Sequence, residues 1–97
     1  MNETDKGVVL LKKSMPYIRK RYPVRRMGVF GSYSRGEQTE KSDLDILVEL
    51  KEPVSLLEFM ALERNLAELT GRKVDLVMKS ALKPRIGKRI LREVVYL

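Results

Sequence analysis

The sequence predicts an α/β (α+β) sandwich, a small mixed sheet of three or four strands covered by helices, and three observations predict it. Apolar side chains recur at helical spacing near the start, two later stretches alternate with period two, and a capped helix joins those stretches. The resulting order is helix, strand, loop, strand, helix, strand, helix. Its length of 97 residues suits one domain spanning 1–97, since a second core would have nowhere to form.

Val8, Leu11, Met15, Ile18 and Tyr22 stand three and four residues apart and mark an amphipathic helix, with Lys12, Lys13, Arg19 and Lys20 on its other face. Pro16 is expected to kink or restart it, and Pro23 to end it. Val24–Phe30 then reads as a short strand stopped by Gly31-Ser32, and Tyr33–Lys41 as a loop or short helical turn. Asp43–Leu50 is the clearest strand, with Leu44, Ile46, Val48 and Leu50 on one face and Asp43 and Asp45 on the other. Ser55-Leu56-Leu57-Glu58 has the pattern of a capping box, opening a helix that runs to about Thr70 and serves as core and scaffold, with Gly71 as its stop. Lys73–Met78 alternates again, placing Val74, Leu76 and Met78 inward and Asp75 outward. Pro84 suits the first turn of a last helix with Ile86, Ile90 and Val94 as its buried stripe, and Val94–Leu97 reads alternatively as a terminal edge strand.

There are no cysteines and no histidines, which excludes disulfides, thiol nucleophiles, Cys/His zinc sites and Ser-His or Cys-His pairs. Hydroxyls, carboxylates and bases remain to carry any chemistry, and a metal, if used, is a hard one. No apolar stretch approaches the roughly 20 residues that cross a bilayer, and the first residues lack the form of a signal peptide, so a cytoplasmic protein with no membrane partner is expected. The net charge of +7 is unevenly spread: eight bases against two acids up to Arg26, six against ten from Met27 to Met78, and six against one thereafter. The acidic centre is where the motifs lie.

Asp43 and Asp45, two apart on a strand, project side by side, and such like charges repel unless a cation neutralises them. Magnesium, which prefers carboxylate and phosphate oxygens, suits an Asp-x-Asp pair that shares the metal with a triphosphate. Gly31 lets backbone approach a ligand closely, and the N–H groups and hydroxyl of Ser32 suit phosphate oxygens. Asp75 can complete the cluster from the neighbouring strand and receive a proton from an attacking hydroxyl. Three carboxylates, two metals and a phosphate cradle are the layout for in-line nucleotidyl transfer.

Gly31-Ser32, ten intervening residues, Asp43-Leu44-Asp45, and Val74-Asp75-Leu76 downstream resemble a minimal nucleotidyltransferase (MNT) domain of the DNA polymerase β superfamily. The resemblance covers nearly the whole chain, from Val24 to its end, and implies the polymerase β-like fold. It implies that Asp43 and Asp45 bind two Mg2+ ions, that Asp75 is the third catalytic carboxylate, and that Gly31 and Ser32 hold the β- and γ-phosphates of ATP. Chains this short are similar to the antitoxin half of HEPN–MNT toxin–antitoxin pairs, which implies transfer of AMP to a tyrosine of a cognate HEPN ribonuclease toxin and a hetero-oligomer with it. Two other readings stand beside this: an antitoxin that masks the toxin without catalysis, and a basic RNA-binding or RNA-modifying protein. Arg35 reads either as a phosphate clamp or as a surface partner of Glu37 or Glu40. The basic ends read as solvated faces or as docking surfaces, with a protein partner preferred to nucleic acid because there is no tryptophan and no RNA-binding motif.

Overall fold

A computed structural model of the protein describes residues 5–37 and 42–97. Asp5 caps the first helix, its carboxylate accepting the Val8 N–H at 3.1 Å, and α1 (Lys6–Arg21) turns Val8, Leu11, Met15 and Ile18 inward. The helix runs through Pro16 without the restart that was one of the two expected outcomes. Pro16 and Lys12 both lie on the exposed side, so the carbonyl that the proline ring leaves without an N–H partner has water within reach.

The chain continues as β1 (Val24–Phe30), β2 (Leu44–Leu50), α2 (Leu56–Thr70) and β3 (Val74–Met78). A 3₁₀ turn at Lys79–Ala81 then leads to α3 (Pro84–Glu93) and β4 (Val95–Tyr96), the terminal edge strand. The sheet order is β3-β2-β1-β4, with β1 antiparallel to both β2 and β4, and β2 parallel to β3. A parallel pair needs a crossover, and α2 supplies it.

One face of the sheet carries Met27, Val29, Leu44, Ile46, Val48, Val74 and Leu76 against Leu11 and Ile18 of α1 and Leu62 and Leu66 of α2. Each fully buried aliphatic side chain here contributes about 1.5–3 kcal/mol. The other face holds a smaller cluster of Phe30 and Leu47 under Ile90 of α3. That second face, half covered, also carries Asp45.

Ser55 caps α2 by accepting the Glu58 N–H at 3.1 Å, and Gly71 ends it in the left-handed conformation. Only part of this helix is core. Leu62, Leu66 and Thr70 are buried, whereas Leu56, Leu57 and Met60 are exposed, the last two lying across the helix from the buried stripe. The expected stripe of α3 is also shifted: Gly87 and Ile90 are buried, Val94 is half-buried, and Ile86 is 58 % exposed. Close packing of Gly87 on Leu82 explains the rotation, since a Cβ at Gly87 would stand 3.1 Å from the Leu82 Cβ. The smallest residue, and not the isoleucine beside it, is turned inward against Leu82.

Candidate active site

Three aspartates meet at one end of the half-covered face. Asp45 on β2 is the register partner of Asp75 on β3 and, on its other side, of Phe30 on β1. Strands lie about 4.8 Å apart and register partners point to the same face, so the two carboxylates are neighbours. Asp43 precedes β2 by one residue and is exposed; two positions from Asp45, it shares that face. The Leu44 N–H, between the two aspartates, donates to the Lys73 carbonyl at 2.9 Å.

The chain leaves β1 beside this cluster through Gly31, whose φ is +71°. A Cβ at Gly31 would collide with the Asp45 carboxylate, so the glycine is required both by its dihedral and by the carboxylate packed on it. The residues after it wind into a compact turn. Arg35, Gly36 and Glu37 donate their N–H groups back to the carbonyls of Gly31, Tyr33 and Ser32 at 3.2, 3.1 and 2.8 Å, and the Ser34 hydroxyl donates to the Gly31 carbonyl at 3.0 Å. Tyr33 anchors the turn in the main core, and Phe30 packs in the smaller cluster. Among the described residues the Ser32 N–H and hydroxyl have no partner, and Ser32 is half-buried beside Gly31.

The electrostatics follow from this crowding. Burial pushes the Asp45 carboxyl above the usual carboxylate range, and the charges of Asp75 and Asp43 push it further, while Arg35 acts in the opposite direction. Arg35 spans the turn and α3, with Nε 3.2 Å from Glu37 and Nη1 3.5 Å from Glu93. It is thus a surface partner of Glu37 and also lies near enough to the aspartates to be felt by Asp45. The part of the Tyr33–Lys41 loop at 38–41, including Glu40 as the other partner considered for Arg35, lies outside the described residues.

Among the described residues no group of three or more carboxylates is arranged to hold a metal ion by itself. The donor set nonetheless fits magnesium shared with a nucleotide, because that ion takes one or two carboxylates and completes its shell with phosphate oxygens and water. A carboxylate pushed above its usual range by burial and by two like charges is relieved by a cation, and the unengaged Ser32 donors beside Gly31 suit an anion. All six residues singled out in the sequence, Gly31, Ser32, Arg35, Asp43, Asp45 and Asp75, therefore lie around one end of the sheet.

Several polar residues near the site carry no such signal in the sequence. Glu63 of α2 accepts the Leu76 N–H at 3.1 Å, tying the strand of Asp75 to the crossover helix. Glu93 receives both Arg35 and Arg89. Asp5 and Arg72 pair at 2.7 Å across the start of α1, a contact between residues 67 apart that no local pattern announces.

The fold and the spacing of Gly31-Ser32 from the aspartates define a nucleotidyltransferase, and residues 11–97 match the nucleotidyltransferase domain family. The chain belongs to that family. It is 60 % identical over 79 residues to the protein adenylyltransferase MntA of Thermococcus cleftensis, a match covering 81 % of this chain and 80 % of the relative. A solved minimal nucleotidyltransferase superposes over the whole of both chains with a TM-score of 0.79 and 35 % identity. A chain from a crystal structure of a mutant toxin–antitoxin MntA–HpeT superposes with a TM-score of 0.66 at 27 % identity, over 100 % of this chain and 72 % of that one. Among the described residues no helix is long and apolar enough to cross a membrane.

Proposed function

We propose that the chain is a magnesium-dependent protein adenylyltransferase acting in the cytoplasm as an antitoxin. In this reading it works as one domain and transfers AMP from ATP to a tyrosine hydroxyl of a cognate HEPN toxin, silencing it. The observation that carries the reading is the Asp45 carboxylate packed on Gly31, with Asp75 as its register neighbour and Asp43 on the same side. The similarity to a protein adenylyltransferase supports the reaction, and the likeness to a toxin–antitoxin structure supports the partner.

Gly31 and Ser32 hold the β- and γ-phosphates through backbone N–H groups and the Ser32 hydroxyl, which fixes the leaving group at the end of β1. Asp43 and Asp45 would hold the Mg2+ ions, with Asp75 completing the set. Magnesium bound there would supply a lowered pKa for the attacking hydroxyl and neutralisation of the departing charge. Asp75 accepts the tyrosine proton as the new oxygen–phosphorus bond forms at the α-phosphate and the bond to the bridging oxygen breaks, releasing diphosphate. Arg35, beside the turn, can leave Glu93 or Glu37 for a phosphate oxygen, since exposed ion pairs are weak.

The test is protection of cells that carry the cognate toxin. The combined Asp43→Ala and Asp45→Ala variant should bind the toxin and fail to protect. Protection that survives both substitutions would mean that binding alone masks the toxin, and would refute the catalytic reading.

A further inference from the structure

We infer that Arg72 is the positioning residue for the Asp43–Asp45 carboxylate pair, acting through the Ser42 carbonyl that it grips. The inference rests on the proposed cation-binding role of those aspartates and adds a residue outside their immediate cluster. Among the described residues the Arg72 guanidinium contacts Asp5 and Ser42. Its Nη1 lies 2.7 Å from each oxygen of the Asp5 carboxylate, while Nε and Nη2 donate to the Ser42 carbonyl at 3.2 and 2.8 Å. The side chains of Arg72 and Asp5 are only 10 % and 6 % exposed.

The Ser42 carbonyl belongs to the peptide group that joins Ser42 to Asp43, so two N–H donors fix the orientation of the plane from which the first aspartate emerges. One residue after Arg72, the Lys73 carbonyl accepts the Leu44 N–H at 2.9 Å. Asp43 is thus held on both sides by the same short segment between α2 and β3. The other end of the guanidinium is fixed to Asp5, which also caps α1, so the reference for the aspartates is the main helix of the core. Gly7 leaves room for the arginine stem: a Cβ there would lie 2.9 Å from Arg72 Cδ.

Lysine does not replace this arrangement. Its ammonium is a compact charge that can pair with Asp5, but it lacks the planar fork that reaches a carboxylate and a carbonyl together. Side chains that orient metal ligands from outside typically contribute about 10–100-fold in metal affinity. Arg72→Lys is therefore expected to keep most of the pairing with Asp5 and to release the peptide group before Asp43.

Two measurements on the full chain test this. The first is amide hydrogen exchange of the protein alone, where Arg72→Lys should speed exchange at 42–46 while leaving β1 as in the native protein. The second is manganese binding in the presence of a non-hydrolysable ATP analogue, followed by electron paramagnetic resonance, where Arg72→Lys should weaken the ion about tenfold. Asp5→Asn, which keeps the helix cap and the grip on Ser42, should lower the melting temperature but leave manganese affinity within about twofold. Should Arg72→Lys not fold, Gly7→Ala carries the same comparison by displacing the arginine stem without removing its charge. Native exchange at 42–46 with native manganese binding would overturn the inference, as would a uniform rise in exchange through the whole sheet. If the native protein binds no manganese with the analogue, the cation-dependent reading of the site fails, and the exchange pattern still decides whether Arg72 sets the start of β2.

Discussion

Gly31→Ala separates the two demands made on that residue, and Gly71→Ala is its internal control. The two glycines have nearly the same backbone conformation, φ of +71° and +68°. A left-handed alanine costs about 1–2 kcal/mol, and at Gly71 this is the whole effect because nothing lies within 4 Å of the added methyl. At Gly31 the methyl also collides with the Asp45 carboxylate, and overpacking of this kind costs about 1–3 kcal/mol more. Burial and the nearby charges of Asp75 and Asp43 already penalise the Asp45 carboxylate, so movement that brings it closer to them is resisted electrostatically. Since 1 kcal/mol shifts the melting temperature of a domain this size by about 4–8 °C, Gly31→Ala should melt at least about 4 °C below Gly71→Ala. Displacing a reacting group by 1 Å can cost about 100-fold in rate, so the same variant should lose transfer far beyond its loss of stability. Thermal and urea unfolding of the two variants provides the assay. Coincident transitions would refute the packing of Asp45 on Gly31 and the geometry built on it.

Other consequences are open to simpler measurements. The folded state raises the Asp45 pKa and so binds more protons than the unfolded chain; stability should fall as pH rises from the usual carboxylate range to the raised value, and Asp45→Asn should flatten that fall and be more stable at neutral pH in urea titrations. Glu49 shows the opposite sign: its hydrogen bond from Arg26 lowers its pKa, so its contribution is present above the ordinary carboxylate value and is lost as pH falls through the lowered one. Because that pair is exposed, the difference between Glu49→Gln and the native protein in melting experiments should be small and should vanish in high salt. Leu66→Ala removes a fully buried side chain between α2 and the sheet and should cost about 2–5 kcal/mol in urea unfolding. Leu57→Ala, on the exposed side of the same helix, should change stability by about 0.5 kcal/mol or less.

Punctuation and period made most of this molecule legible. Pro23, Gly31, Gly71 and Pro84 divide the chain where the elements do change, and the alternation of Leu44, Ile46 and Val48 placed Asp45 on the opposite face. Where single residues were misread, packing had overridden local preference. Pro16 is accommodated within a continuous α1 because it lies on the exposed side, and Gly87 rather than Ile86 is buried because α3 comes close to Leu82. The apolar residues at 56, 57 and 60 could not be sorted into core and surface before the sheet defined the buried side of α2. The Gly31, Ser32, Asp43, Asp45 and Asp75 pattern was visible because strand period and turn chemistry act locally. The tie from Asp5 through Arg72 to Ser42 was not, because it joins the first helical cap to the loop before β3 and depends on the finished fold.

The most direct test of the central claim is the intact mass of the folded, bound acceptor toxin after incubation with the chain, ATP and magnesium. The native chain should add one or more AMP groups to tyrosine, and the variant carrying both Asp43→Ala and Asp45→Ala should bind the same acceptor and add none. An acceptor left unmodified by the native chain, or modified equally by the variant, would contradict nucleotidyl transfer at these aspartates.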